Sequence, residues 1–169
     1  MQLNSLNDVF THEIQDLRSA ETQLVEALPK MAQAASHDEL RQAFEHHLEE
    51  TREHVRRLDE VAAQVGISAE GETCKGMAGL IAEGQKTISA SGDPAVKDAA
   101  LIAAAQRVEH YEIAAYGTAR TLADELGLDE AKDVLDQTLD EESNADKLLT
   151  KIATGGMFKG GLNQAAQNA

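Results

Sequence analysis

With 169 residues, 42% of them hydrophobic, the chain is long enough to build one domain with a substantial core. Its single cysteine, Cys74, excludes a disulfide framework and a cysteine-based metal site, and suits a reducing, cytoplasmic setting. A formal net charge of −15 argues against nucleic acid as a partner, because phosphate binding needs a basic face, whereas an acidic surface concentrates cations.

Ala and Leu are abundant and there are only 2 Pro, which predicts an all-α protein. No run of about 18 apolar residues is present, so no membrane partner is expected. Residues 1–5 lack the basic-then-apolar pattern of a secretory signal. The first helix starts after Ser5, with Asp8 completing an approximate capping box. Its apolar seam is Phe10, Ile14, Leu17, Glu21, Leu24 and Leu28, and Pro29 is expected to kink or end it. Ser36-His37-Asp38-Glu39 reads as a capping box for the second helix, which runs to Val65 with Gly66 as its stop. Its seam reads Leu40, Ala43, His47, Glu50, His54, Leu58, Val61 and Val65.

Residues 67–93 form a long connection holding a shorter amphipathic helix from about Glu72 to Ala90. At ~1.5 Å per helical residue it reaches ~40 Å, enough to run back along a bundle. The second and third long helices then lie parallel, and one long crossover is the ferritin-like arrangement of a four-helix bundle. Asp93-Pro94 opens the third helix, which Gly127 stops. The fourth runs from Asp129 to about Thr154. The expected organisation is a bundle over residues 1–156 and a mobile tail over 157–169.

The third helix carries Ile102, Ala105, Glu109, Glu112, Tyr116, Ala119, Ala123 and Leu126 at alternating helical spacings. Glu109 and Glu112 stand where apolar residues belong, and an ionised carboxylate is rarely buried unless it is paired or holds a metal. Counting from the turns tests whether they have partners. Glu21 and Glu50 each lie about 14 residues from the first turn, ~22 Å along the axis. Glu142 and Glu112, and Asp146 and Glu109, match in the same way about the second turn. The four helices thus bring their carboxylates to one layer, where they would repel one another. Two divalent cations would relieve that repulsion, and the candidate ligands are Glu21, Glu50, His54, Glu109, Glu112, Glu142 and Asp146. His47 reads as a packed core histidine, Tyr111 and Tyr116 as core, and Glu53, Glu141 and His110 as flanking residues at the surface or just outside the ligands.

Several segments carry a resemblance. They are Ser19-Ala20-Glu21 followed by Gln23-Leu24, and His47-Leu48-Glu49-Glu50-Thr51. The third-helix run 99–106 followed by Val108-Glu109-His110-Tyr111-Glu112-Ile113-Ala114, and Thr138-Leu139 before Glu141-Glu142, complete the set. Together they resemble the YciE/YciF family of ferritin-like stress-response proteins, on its YciF side, across about residues 5–153. The resemblance implies a ferritin-like bundle, a homodimer, a di-metal site of the rubrerythrin type and a role in bacterial stress. The spacing of Glu109 and Glu112 is similar to the rubrerythrin third helix, but two features depart from that pattern. His54 follows Glu50 by four residues rather than three, with Glu53 in the expected place, and the fourth helix offers Asp146 instead of a histidine.

The leading expectation is therefore a di-iron or di-manganese (or mixed-metal) carboxylate protein acting on oxygen or peroxide, or in iron handling. By family analogy Glu50 and Glu142 bridge the metals. The alternative is a structural or interaction protein whose metals only stabilise the bundle. Nucleophilic catalysis has no placed Ser or Cys with a base, and no strand precedes a phosphate-binding loop.

Overall fold

Four long helices and a helical crossover make up the chain: α1 (Leu6–Ala34), α2 (Asp38–Val65), α3 (Lys75–Ser89), α4 (Pro94–Glu125) and α5 (Asp129–Thr154). This is a computed structural model that describes residues 3–156 and 159–169. α1 packs along α2 and α4 along α5, and the two hairpins meet through α1 with α4 and α2 with α5. The all-α expectation holds, with one small addition: Gly155–Gly156 and Lys159–Gly160 form a two-residue antiparallel ribbon.

Local chemistry sets most helix boundaries. Ser5 Oγ accepts from the Asp8 N–H at 3.2 Å, and the Asp8 carboxylate accepts back from the Ser5 N–H at 3.0 Å, the expected capping box. Asp93 accepts from the N–H groups of Ala95 and Val96 ahead of Pro94. Gly66 (φ 73°) and Gly127 (φ 68°) close α2 and α4 in the left-handed region that favours glycine. Pro29 neither ends nor divides α1, which continues to Ala34. Its side is solvent-exposed, so the lost backbone bond is not buried.

The start of α2 differs from the sequence reading. His37 stands at the N-cap and its side chain makes no capping hydrogen bond. Instead Asp98, buried in the first turns of α4, reaches across the bundle. Its carboxylate accepts from the Ser36 N–H (2.9 Å), the Ser36 hydroxyl (2.6 Å) and the His37 N–H (2.8 Å). One side chain thus caps α2 and fixes α4 beside it, end to end.

The crossover is tied to α1 by polar contacts. Gln15 donates to the Ser68 carbonyl, Gln23 to the Cys74 carbonyl, and the Cys74 N–H to Ser19 Oγ. Cys74 caps α3 through Sγ and contacts Tyr111 and Asp16, while burial pushes its thiol pKa up. The expected tail starts at Met157, and Met157 and Phe158 lie outside the described residues. Further on, a short helix α6 (Leu162–Gln167) packs against α4 and α5, with Leu162 buried.

The core is in two parts. One holds Leu24, Leu28, Leu40, Phe44, Leu101, Ile102 and Leu149. The other holds Phe10, Ile14, Leu17, Leu58, Val61, Tyr116, Ala119 and Leu135. The N-terminal halves of α2 and α4 share the first cluster and their C-terminal halves the second, so these helices run parallel, as the long crossover requires. Replacing Asp98 by Ala removes the side-chain acceptor of two part-buried backbone N–H groups. The variant is expected to lose about 2–3 kcal/mol in urea unfolding followed by circular dichroism, against about 1 kcal/mol for Ser36→Ala.

Candidate metal centre

Between the two apolar clusters lies a layer of polar side chains. α1 contributes Glu21, flanked by Leu17 and Leu24. α2 contributes His47, Thr51 and His54 between Phe44 and Leu58. α4 supplies Glu109 and Glu112 between Ala105 and Tyr116, and α5 supplies Glu142 between Thr138 and Leu149. The four carboxylates and two imidazoles are each no more than 6% exposed. Their ligand atoms fall into two groups, within each of which all lie within 4.8 Å of one another: His47, Glu109, Glu112 and Glu142, and then Glu21, His54 and Glu142. Glu142 belongs to both.

His47 Nε2 lies 3.5 Å from Glu109 Oε1 and 3.5 Å from Glu142 Oε2. His54 Nδ1 lies 2.9 Å from Glu142 Oε1 and 3.3 Å from Glu21 Oε1, with angles too poor for hydrogen bonds. Tyr116 donates its hydroxyl to Glu21 Oε1 at 2.5 Å. Even so, the layer is unsatisfied. Among the described residues, nine buried side-chain atoms lack a hydrogen-bond partner, and all but His37 Nδ1 are here. They include both oxygens of Glu112, both of Glu142, and one nitrogen of each histidine. Each such group costs about 1–3 kcal/mol if nothing binds it. Carboxylate oxygens and imidazole nitrogens aimed at one space are the donor set of a transition-metal site, so this buried group could hold a metal ion.

The protonation pattern follows from burial and charge. Burial raises the pKa of Glu21, and raises those of Glu109 and Glu112 well above the ordinary carboxyl value, with neighbouring carboxylates adding to it. Burial opposes charge on His47 and His54 as well. Glu109 and Glu50 outweigh it for His47, pushing its pKa up to about 10. Contacts with Glu142 and Glu21 push His54 up to about 11. Glu142 is buried yet held below the usual carboxylate range, chiefly by His54 and His47.

Outside the layer, Glu141 braces His54. Its Oε2 lies 2.9 Å from His54 Nε2, and Arg57 grips both its oxygens at 2.5 and 3.1 Å. Burial works against its charge, but Arg57, then His54, hold its pKa down to about 2. A permanently charged acceptor on Nε2 leaves Nδ1 as the nitrogen turned inward, the usual support for a metal-binding histidine.

The structure brings together five of the seven expected ligands: Glu21, His54, Glu109, Glu112 and Glu142. Glu50 and Asp146 are the two it does not. The seam of α2 runs through Leu40, Phe44, His47, Thr51, His54, Leu58 and Val61, so Ala43 and Glu50 lie at its edge. The Glu50 side chain is 28% exposed and points at the rings of His46 and His47. The Asp146 side chain, 20% exposed, accepts from Gln106 Nε2 at 3.0 Å and lies beside His110. His47, read from sequence as a packing residue, joins the ligand atoms instead. Its position seven residues before His54, two turns along one face, is the signal that could have found it.

Four helices, one long crossover and a buried glutamate–histidine layer define a ferritin-like four-helix bundle with the makings of an internal metal centre. The chain belongs to the family described as a domain of unknown function, DUF892, which matches residues 5–165. It is 45% identical over 166 residues to Protein YciF of Escherichia coli K12, covering 98% of this chain and all of that one. The crystal structure of the E. coli stress protein YciF superposes with a TM-score of 0.86 at 46% identity, covering 88% of this chain and 94% of the other. YcfI of Rhodopseudomonas palustris, described provisionally as a structural protein, superposes with a TM-score of 0.87 at 40% identity, covering 90% and 97%. The resemblance drawn from the sequence is thus borne out. Among the described residues no helix is long and apolar enough to cross a membrane.

The raised pKa values fix a pH dependence. The two histidines hold protons in the folded state above pH 6.5, so their stabilisation is complete below that value and is lost as pH rises through about 10 to 11. Glu21, Glu109 and Glu112, raised above 4.5, push in the same direction above that pH. Metal-free protein should therefore melt at progressively lower temperature from pH 7 to 10. Added Mn²⁺, which binds the deprotonated ligands, should raise Tm by an amount that grows over the same range, as scanning fluorimetry would register.

Glu112 gives a second test, because neither of its oxygens has a partner. Glu112→Met should stabilise metal-free protein by about 1–3 kcal/mol in chemical denaturation while weakening metal retention.

Proposed function

We propose that this chain is a di-metal carboxylate protein of bacterial stress response, holding two divalent ions, iron or manganese. It would work in the cytoplasm as a homodimer on a small oxidant such as oxygen or peroxide, or in iron handling, with neither nucleic acid nor membrane as partner. The observation that carries this reading is the convergence of eight orphaned ligand atoms from four helices on one buried layer. The stress role is supported by the description of the E. coli protein YciF as a stress protein.

Glu21 and His54 would hold one ion, and His47, Glu109 and Glu112 the other, with Glu142 between them. Such a pair supplies one- or two-electron redox chemistry and Lewis acidity. The chain's own residues set the conditions for it. Glu141 and Arg57 fix the ring of His54, Tyr116 holds one oxygen of Glu21, and the apolar clusters on either side exclude bulk water.

A second reading, a structural protein stabilised by its metals, is favoured by the description given to YcfI. Metal analysis of protein reconstituted with Fe²⁺ or Mn²⁺ should find about two ions per chain. Glu142→Ala, which removes the shared carboxylate, should retain less than half of that. Fewer than one ion per wild-type chain would overturn the proposal. Loaded protein that consumes peroxide or oxidises Fe²⁺ no faster than free metal would leave the structural reading in its place.

A further inference from the structure

A cation bound in the central layer must first cross the wall of the bundle. An ion stripped of water without replacement ligands pays a desolvation cost of many kcal/mol, so an apolar path is closed to it. Among the described residues, two cavities have Glu109 in their lining. One, about 50 Å³, lies among Leu24, Leu28, Leu80, Ile81 and Val108, an apolar lining in which few groups could take the place of water. The other, about 100 Å³, lies between α2 and α5 and is lined by His46, Glu50 and His47 on one side and Asn144, Ala145 and Leu148 on the other.

The second cavity contains a graded ladder of ligand atoms. His46, at the mouth, has a side chain 71% exposed, and its Nδ1 lies 3.2 Å from Glu50 Oε2. The same oxygen lies 3.4 Å from His47 Nδ1. The opposite nitrogen of that ring, Nε2, is buried and unpartnered, 3.5 Å from both Glu109 and Glu142. Each step is short enough for an ion to gain one ligand before losing the last. His47 links the cleft to the layer, with Nδ1 toward Glu50 and Nε2 toward Glu109 and Glu142.

We propose that this cleft between α2 and α5 is the route by which a divalent cation passes from solvent to the central layer, with His46 and Glu50 at its mouth and His47 at its neck. The inference rests on the metal-binding reading above and assigns Glu50 a part in loading rather than in final coordination. The Glu50 carboxylate at the mouth attracts a cation and so raises the loading rate, without altering the final site.

The test uses full-length metal-free protein and Mn²⁺ alone. The loss of the free-ion electron paramagnetic resonance signal after mixing gives the rate, and equilibrium dialysis gives the final content. His46→Ala and Glu50→Gln should load about tenfold more slowly, and Ala145→Leu, which fills the cleft with a side chain carrying no ligand, should be slowed at least as much. All three should reach wild-type content. Ala27→Leu, which narrows the apolar cavity, should load at the wild-type rate. Variants that load as fast as wild type would overturn the route, as would a reduced final content in Glu50→Gln, which would make Glu50 a ligand. No Mn²⁺ bound by wild-type protein at equilibrium would overturn the metal-binding reading itself, and the route with it. His46 is exposed, so its removal leaves the fold intact and the rate interpretable.

Discussion

Mutual repulsion among four buried carboxylates is the force to which the rest of this structure answers. Glu21, Glu109, Glu112 and Glu142 sit in one water-poor layer, and no lysine or arginine enters it among the described residues. The only positive charges inside are those of His47 and His54. Burial raises three of the four carboxyls, with neighbouring carboxylates adding to the rise, and only Glu142, in contact with both rings, is shifted down. A layer of this kind costs stability unless something binds it. Its persistence between two well-packed apolar clusters is the physical argument for a ligand carrying positive charge.

The surrounding structure holds that layer in register. Asp98 joins the start of α2 to the start of α4, and these are the helices whose parallel alignment brings His47 opposite Glu109. Arg57 and Glu141 join α2 to α5 on the far side of His54. Both devices use a charged side chain from one helix to satisfy polar groups on another. A slip of one residue between helices would break several hydrogen bonds at once.

Much of this was legible in the sequence because it is local. Ser5, Asp93-Pro94, Gly66 and Gly127 act within a few residues of themselves, and their helix ends fall where those residues predict. The crossover and the level of the carboxylates followed from length alone. What was not legible depended on tertiary distance. Ser36 looks like a cap by its neighbours, but Asp98, 62 residues away, takes its N–H and hydroxyl. The phase of α2 was read through Ala43 and Glu50 because Thr51, buried and bonded to the His47 carbonyl, carries no apolar signal. That choice places Glu50 on the seam, whereas His47 lies on it in either phase. No residue type at position 141 distinguishes a brace for His54 from a solvated glutamate; only Arg57, on another helix, does.

The revised ligand set also bears on whether the centre can react. A seven-ligand set rich in carboxylate could close both metals to any outside molecule, the main ground for a purely structural role. With Glu50 and Asp146 turned toward His46, His47, Gln106 and His110, six protein side chains remain, and one of them, Glu142, is shared between the two groups. Were two ions bound as proposed, sharing would lower the number of donors per ion further. If ions were held as proposed, water or another small molecule would be needed to complete their coordination. On the proposed reading the donor count weighs toward exchange with solvent molecules, and the cleft that reaches His47 would serve as a path for them as well as for the ion.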